Sequence, residues 1–294
     1  RCNYGCPEGA KWSGRMFVDE ALQGGARLIN EARVMRVIVE NATAVGIEYR
    51  RKGKIQRAYA GTIVLSAGGI GSPLVLRASG IKDTGYDFFF DPLITVMGTV
   101  DDVAGGREIP MAGGLHVEED GYVMTDMTVP WSLHAVLNAA MGRLDQLHTH
   151  QRTLQIMIKI KDQLGGRITD TGGIRKRLSE VDKVKIFKGY ARAREILAHA
   201  GARNIHRSGY LAAHPGGTAK INDVVDTDLK TAIDNLYVCD CSVMPKAWGL
   251  PPTFSLIALG KRLAKHLAGG SVRQDEPGKG PAVEVNQTHA LESR

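Results

Sequence analysis

Residues 213–221 read AHPGGTAKI, and NLYVCDCSVMP at 235–245 and GLPPTFSLIALGKRLAKHL at 249–267 follow within one continuous region. In the first segment His214 stands beside two consecutive glycines, which allow a backbone to approach another group closely. An apolar strand then ends at Asp240, and a long apolar helix follows. Imidazole is the side chain best suited to take up a proton near neutral pH, so His214 is a candidate general base.

Length and composition indicate a globular protein. The chain has 294 residues, of which 43% are hydrophobic and 23% charged, and this is long enough to bury one large core or two ordinary ones. No apolar run approaches the roughly 20 residues of a membrane-spanning helix. The chain begins at Arg1 rather than Met, and we expect it to be a piece of a longer protein.

The positive charge of the chain does not indicate nucleic-acid binding. The formal net charge is +7, but basic and acidic residues are interspersed. The longest basic cluster, at residues 50–54, lies between two predicted strands and is interpreted as a solvated hairpin turn. A nucleic-acid surface would need a basic face with interleaved aromatic residues, and aromatics make up only 6% of the chain. We therefore expect no nucleic-acid partner.

The four cysteines form two close pairs, Cys2 with Cys6 and Cys239 with Cys241. Neither spacing is that of a zinc ribbon or a ferredoxin, and no histidine lies near either pair. We expect reduced structural thiols and no metal, in a cytoplasmic protein. A disulfide between Cys2 and Cys6 remains an alternative.

The order of predicted elements indicates a mixed α/β protein with four segments. Strands and short helices over 1–85 and over 206–270 are expected to share a parallel or mixed sheet. Over residues 86–205, segments of alternating polar and apolar residues are separated by Gly-Asp and Gly-Gly turns. This pattern predicts an inserted antiparallel sheet with helices. Ser179 is predicted to cap the longest helix, and ARLINEA at 26–32 is predicted to be a strand. Residues 271–294 form a polar tail, predicted to be disordered.

Several segments together resemble the glucose-methanol-choline (GMC) family of flavin oxidoreductases. They are GCPEGAKWSG near the start, SPLVLRASGI at 72–81, HPGGT at 214–218 and DCSVMP at 240–245. The likeness runs from residue 1 to about 268. It implies FAD as the cofactor, a partial FAD-binding Rossmann-like domain for 1–85 and 206–270, and a substrate domain for 86–205. An alcohol or a sugar-like molecule would be the substrate.

The resemblance also assigns roles to individual residues. His214 matches the histidine that takes the hydroxyl proton while hydride passes to flavin N5. Asp240 matches a position that bonds the ribityl–pyrophosphate region of the flavin, and Val34 matches one whose backbone contacts the adenine. The remaining residues that the resemblance places at the cofactor are Ala213, Cys241, Pro252 and Thr253.

Two features depart from the family. The chain contains no strand–GxGxxG–helix unit, so the resemblance implies an upstream flavin-binding region or subunit as a partner. The segment SAGGIGSP, at 66–73, lacks the third glycine and is interpreted as a tight strand-to-helix turn, whereas the resemblance implies that it packs against FAD. Most members carry a second catalytic His or Asn at the position that is Pro251 here. Proline offers neither a side-chain donor nor an N–H, so substrate positioning must come from elsewhere.

The function predicted from the sequence is oxidation of a CH–OH group by the C-terminal part, or a subunit, of an FAD-dependent oxidoreductase. Oxygen, a quinone or a carrier protein remain alternatives as the electron acceptor. The alternative function is a catalytically silent subunit or domain that completes a partner flavoprotein, which the loss of the residue at Pro251 would favour.

Overall fold

The computed structural model describes residue 9 and residues 11–103, 105–106 and 108–269. The tail over 271–294 and the pair Cys2 and Cys6 lie outside the described residues. Five helices are found within those ranges: α1 (Arg15–Gln23), α2 (Gly68–Ala78), α3 (Trp131–Ala140), α4 (Glu180–His199) and α5 (Thr253–Leu267). The strands are β1 (Ala32–Glu40), β2 (Thr43–Arg51), β3 (Lys54–Tyr59), β4 (Ile63–Leu65), β5 (Tyr86–Phe88), β6 (Pro92–Thr99), β7 (Gly114–Val117), β8 (Tyr122–Asp126), β9 (Thr153–Ile160), β10 (Gly165–Ile168), β11 (Ile174–Arg175), β12 (Arg203–Arg207), β13 (Leu211–Ala212) and β14 (Leu236–Val238).

The two ends of the chain share a parallel pair of strands. β14 lies parallel to β4, with Leu236 opposite Ile63 and Val238 opposite Leu65. A neighbouring antiparallel sheet is formed by β1, β2 and β3, and the hairpin turn between β2 and β3 is Lys52-Gly53, both at positive φ. The hydrophobic core beside this strand pair combines residues from both ends of the chain, such as Leu76 from the N-terminal part and Leu229 from the C-terminal part. The mixed α/β fold class is thus confirmed.

The middle of the chain forms an antiparallel sheet in the order β12-β6-β9-β8-β7, with β13 also paired to β6. Helix α4 packs on one face of it, so closely that a Cβ on Gly189 would lie 2.5 Å from Cγ2 of Ile158. The predicted cap of α4 is present: the Ser179 hydroxyl accepts from the N–H of Asp182, whose carboxylate accepts from the N–H of Ser179. Whether the segments 1–85, 86–205 and 206–270 are separate domains stays a prediction.

One local prediction was wrong, and another was met. The strand expected at ARLINEA does not form, because Glu31 has a φ of 52° and breaks the extended backbone, while Leu28 is exposed without a neighbouring strand to cover it. The tight strand-to-helix turn predicted at SAGGIGSP is present, since β4 ends at Leu65 and α2 begins at Gly68 and includes Pro73.

Candidate active site

His214 lies on a turn directly after β13, and its ring contacts a buried carboxylate. Its Nδ1 is 3.2 Å from Oδ2 of Asp91, the residue that precedes β6. The Asp91 side chain is only 1% exposed, whereas that of His214 is 28% exposed. Both residues have left-handed backbones, with φ of 44° and 52°. Such a conformation costs free energy for residues other than glycine and is found at functional sites.

Asp91 is itself held by surrounding backbone and by a buried ion pair. Its Oδ1 accepts from the N–H of Gly249 at 3.3 Å, and its own N–H donates to Asp162 at 3.1 Å. Asp162 forms an ion pair with Lys176 at 2.9 Å, and both side chains are at most 1% exposed. Burial raises the pKa of the Asp162 carboxyl, and the contact with Lys176 opposes that shift. The position of Asp91 is therefore fixed from several sides.

The turn that carries His214 packs directly on the first turn of α2. Pro73 has no N–H, so the carbonyl of Gly69 lacks the helical partner that residue 73 would otherwise supply. The hydroxyl of Thr218 fills that position, donating to the Gly69 oxygen at 2.8 Å. A Cβ on Gly69 would lie 2.0 Å from the oxygen of Pro215, so only glycine allows this approach.

Cys241 contacts the same turn from the other side. Its thiol lies 3.9 Å from the His214 carbonyl oxygen, and its own carbonyl accepts from Gly217 N–H at 3.0 Å. Desolvation by burial is the main cause that raises the pKa of the Cys241 thiol to about 12, with the negative charge of Asp240 adding to it. The side chain is therefore an uncharged packing group beside His214.

Asp240 uses its carboxylate to join the end of β14 to α2. One oxygen accepts from Gly68 N–H at 2.9 Å and from the Ser72 hydroxyl at 2.5 Å, and the other accepts from Ser242 N–H at 2.7 Å. These contacts hold the start of α2, which packs on the His214 turn, next to the end of β14. Asp240 and His214 thus belong to one junction of three chain segments.

Val34 lies elsewhere, at a cleft between β1 and α2. The cleft has a volume of about 550 Å³. Val34, Arg50, Ala67 and Gly71 line it together with residues of the loop after β10. The N–H of Val37 donates to the Ser79 hydroxyl at 2.8 Å, which ties β1 to the end of α2. Val34 is thus one of the residues that line a partly apolar cleft beside α2.

The remaining predicted residues lie around the same junction. The N–H of Ala213 donates to the carbonyl of Phe90 at 2.9 Å, next to Asp91. Pro252 is buried and precedes α5, of which Thr253 is the exposed first residue. Pro251 is exposed. Gly249, two residues before Pro251, donates its N–H to Asp91. The segment around Pro251 therefore contacts the His214 site through its backbone.

Within the part of the chain that the structure describes, no group of three or more His, Cys, Asp or Glu side chains is arranged to hold a metal ion. No helix in that part is both long and apolar enough to cross a membrane.

Family models for the GMC oxidoreductases match residues 1–95 and 143–260, which include both the Asp91 turn and the His214 turn. The chain belongs to the GMC oxidoreductase family. Among its relatives, an uncharacterised protein of Methanocaldococcus jannaschii is 26% identical over 260 residues, covering 88% of this chain and 64% of that protein. A long-chain-alcohol oxidase of Arabidopsis thaliana is 21% identical over 353 residues, covering 92% of this chain and 47% of that enzyme.

Solved structures share this fold. A pyridoxine 4-oxidase from Mesorbium loti matches with a TM-score of 0.61 and 18% identity, over 81% of this chain and 57% of that one. An FAD-dependent oxidoreductase from Chaetomium thermophilum matches with a TM-score of 0.61 and 14% identity, over 86% and 63%. This chain therefore spans about half to two thirds of the length of the relatives and structures named here.

The resemblance assigned His214, Cys241 and Asp240 to one site. In the structure the Cys241 thiol lies beside the His214 carbonyl, whereas the Asp240 carboxylate contacts the start of α2. Asp91 was missed. It lies 123 residues before His214 in the chain, within the segment 86–205 that was interpreted only as an antiparallel sheet with helices. No local pattern in the sequence pointed to this contact, because the two residues are far apart in the chain.

Proposed function

We propose that this chain supplies the general base and the substrate-side wall of an FAD-dependent oxidoreductase that oxidises the CH–OH group of an alcohol or sugar-like molecule. The cofactor is FAD, which when bound accepts hydride from the substrate carbon. The proton from the substrate hydroxyl goes to His214. The observation that carries the proposal is the contact between His214 and Asp91 on paired left-handed turns.

The contact with Asp91 assigns the two ring nitrogens of His214. Because a carboxylate only accepts hydrogen bonds, Nδ1 carries the hydrogen, and Nε2 has the free lone pair that can accept a proton. The assignment follows from the hydrogen-bond network. When Nε2 takes the proton, the imidazolium lies next to a buried negative charge that stabilises it, as in other base–carboxylate pairs.

The positions of Asp240, Cys241 and Ala213 are compatible with a flavin at the junction of the three segments. Val34 at the edge of the cleft between β1 and α2 supports an adenine site there. Pro252 and Thr253 would offer the first turn of α5, where backbone N–H groups lack helical partners. These assignments are part of the proposal, and mutation of each residue can test them.

An upstream flavin-binding region or subunit is the proposed partner. Exposed apolar side chains on α1 support it, because none of the residues of that helix is buried. Met16 is 50% exposed, and Phe17 and Val18 are 40% and 43% exposed. Large apolar side chains that stay exposed are compatible with a surface that another segment covers. The cytoplasm stays the expected location, since Cys239 and Cys241 are free thiols.

The test is reduction of bound FAD by alcohols in the holoenzyme, followed anaerobically by the loss of flavin absorbance. His214→Gln should retain FAD and slow reduction by about 100- to 10,000-fold, the usual contribution of general base catalysis. His199→Gln is the matched control, because His199 is exposed at the end of α4 and contacts only a backbone carbonyl of its own helix.

Unchanged reduction in His214→Gln would remove this residue from the mechanism. A wild-type holoenzyme that binds FAD but is reduced by no alcohol or sugar would favour the catalytically silent subunit instead. Pro251, which has no donor to offer a substrate oxygen, is the observation that keeps that second candidate open.

A further inference from the structure

A buried ion pair lies next to the segment that carries Asp91. Its members are Asp162, which follows β9, and Lys176, which follows β11. Their charged groups are 2.9 Å apart, and the two side chains are 0% and 1% exposed. Removing two charges from water costs free energy that their attraction often fails to return, so apolar residues of similar volume would usually be at least as stable there. Stability alone therefore does not account for this pair.

Lys176 uses all three N–H groups of its ammonium. Besides Asp162, it donates to the carbonyl oxygens of Phe88 at 2.5 Å and of Gln163 at 2.6 Å. Its nitrogen also lies 5.4 Å from the ring centroid of Phe88 and 5.3 Å from that of Phe90. A cation is attracted to an aromatic ring at such distances. The ammonium group therefore holds the aromatic run that precedes β6.

Asp162 holds the end of the same run through its backbone. Its carboxylate accepts from the N–H of Asp91 at 3.1 Å and from the N–H of Phe90 at 3.4 Å. Asp91 has a φ of 44°, and a residue other than glycine keeps such a conformation only where its surroundings impose it. Hydrogen bonds to an ionised carboxylate are stronger than those between neutral groups. Two of them on consecutive residues fix the turn that carries Asp91.

The other edge of this segment pairs with the turn that carries His214. Phe89 exchanges two backbone hydrogen bonds with Gly216, each 3.0 Å long. The Asp91 carboxylate then contacts Nδ1 of His214 at 3.2 Å. Residues 88–91 therefore lie between the ion pair and the proposed base, and hydrogen bonds connect them to both.

We propose that Asp162 and Lys176 are positioning residues for the base: together they fix the main chain at 88–91 so that the Asp91 carboxylate meets Nδ1 of His214. The inference rests on the proposed function, in which His214 takes the proton of the substrate hydroxyl. Both side chains of the pair are buried, so neither contacts the substrate and both act through Asp91.

The experiment replaces the pair with apolar residues in the holoenzyme, as Asp162→Leu with Lys176→Met. Removing both charges together avoids leaving one of them buried and unpaired, so the double variant should melt close to the wild-type temperature or above it. The probe is whichever of n-octanol, benzyl alcohol and D-glucitol reduces the FAD of the wild type fastest. Reduction at saturating alcohol should be about 10- to 100-fold slower, since misplacing a catalytic group by about 1 Å can cost about 100-fold. The KM should change by less than about 3-fold, because substrate binding is not altered.

A second measurement tests whether the loss acts through His214. The pair is removed again in His214→Gln, where no imidazole remains to be positioned. Groups that act as one unit are strongly non-additive, so removing the pair should slow the His214→Gln enzyme by less than about 3-fold.

Glu180→Leu with Lys183→Met is the matched control. That ion pair lies on the surface of α4, with side chains that are 86% and 50% exposed. The same kinds of substitution there should leave flavin reduction unchanged with and without the imidazole of His214.

The hydrogen bond between His214 and Asp91 can also be observed without turnover. In proton NMR spectra of the holoenzyme with isotopically labelled histidine, the Nδ1–H of His214 should give a signal that His214→Gln removes and so identifies. The double variant of Asp162 and Lys176 should lose this signal. Because the signal needs no alcohol, it tests the positioning of His214 even if no alcohol reduces FAD and the proposed function fails.

Three results would overturn the inference. One is a double variant that reduces FAD at the wild-type rate. The second is an equal loss with and without the imidazole, which would assign the pair to folding rather than to His214. The third is an Nδ1–H signal that is absent from the wild type or unchanged in the double variant. Should Asp162→Leu with Lys176→Met fail to fold, Asp162→Asn with Lys176→Met keeps an acceptor for the Asp91 N–H, and the same three results decide.

Discussion

Replacing Gly69 with alanine tests whether the His214 turn is positioned by direct backbone contact with α2. The new Cβ would lie 2.0 Å from the Pro215 oxygen and 2.9 Å from the nitrogen of Gly216. Non-bonded carbon and oxygen atoms normally stay about 3.5 Å apart, so the two segments must separate by about 1.5 Å. Both obstacles are backbone atoms, so no side-chain rotation can relieve the contact.

We expect Gly69→Ala to lower the free energy of unfolding by about 1–3 kcal/mol, the usual cost of overpacking. For a chain of this size that corresponds to a fall of about 2–12 °C in melting temperature. Because misplacing a catalytic group by about 1 Å can cost about 100-fold in rate, the holoenzyme should also reduce FAD about 100-fold more slowly.

The control is Gly260→Ala, also inside a helix. No atom lies within 4 Å of the position its Cβ would take. Alanine is the better helix former, so this change should raise the free energy of unfolding by about 0.5–1 kcal/mol and leave flavin reduction unchanged. Melting curves of both variants and anaerobic flavin reduction provide the measurements. A Gly69→Ala protein that equals wild type in melting and in reduction would refute the packing of Pro215 on α2.

Three further outcomes are expected. Asp240→Asn should lower the free energy of unfolding by about 1–3 kcal/mol in urea titrations, because an amide NH₂ would face groups that now donate to a carboxylate; an unchanged midpoint would contradict this. Lowering the pH from 7.5 to 5 should destabilise the chain. Desolvation lowers the pKa of His134 and of His206 in the folded chain. Below about pH 6.5 the unfolded chain therefore binds more protons than the folded chain, and acid favours unfolding. The slope, at most about 1.4 kcal/mol per pH unit for each histidine, should be shallower in His206→Asn, and identical slopes would exclude His206 as a source. Cys241, with its thiol pKa near 12, should resist iodoacetamide at pH 8 until the chain is unfolded; mass spectrometry of the native protein would reveal any modification there.

The elements that could be predicted are those that residues close together in the sequence determine. Ser179 and Asp182 are three residues apart, so the cap of α4 could be predicted from their spacing alone. The turn Lys52-Gly53 followed from a basic stretch between two alternating segments. Apolar runs at both ends of the chain predicted the strands β4 and β14. Their pairing was expected because the resemblance to a known family assigns both ends to one domain.

The two most informative side chains outside that family pattern could not be predicted. Asp91 depends on a contact with His214 that spans 123 residues, and no periodicity reports such a contact. Lys159 lies in TLQIMIKI, where polar and apolar residues alternate, and alternation normally indicates one face in water. The structure covers both faces of β9, so Lys159 is only 2% exposed.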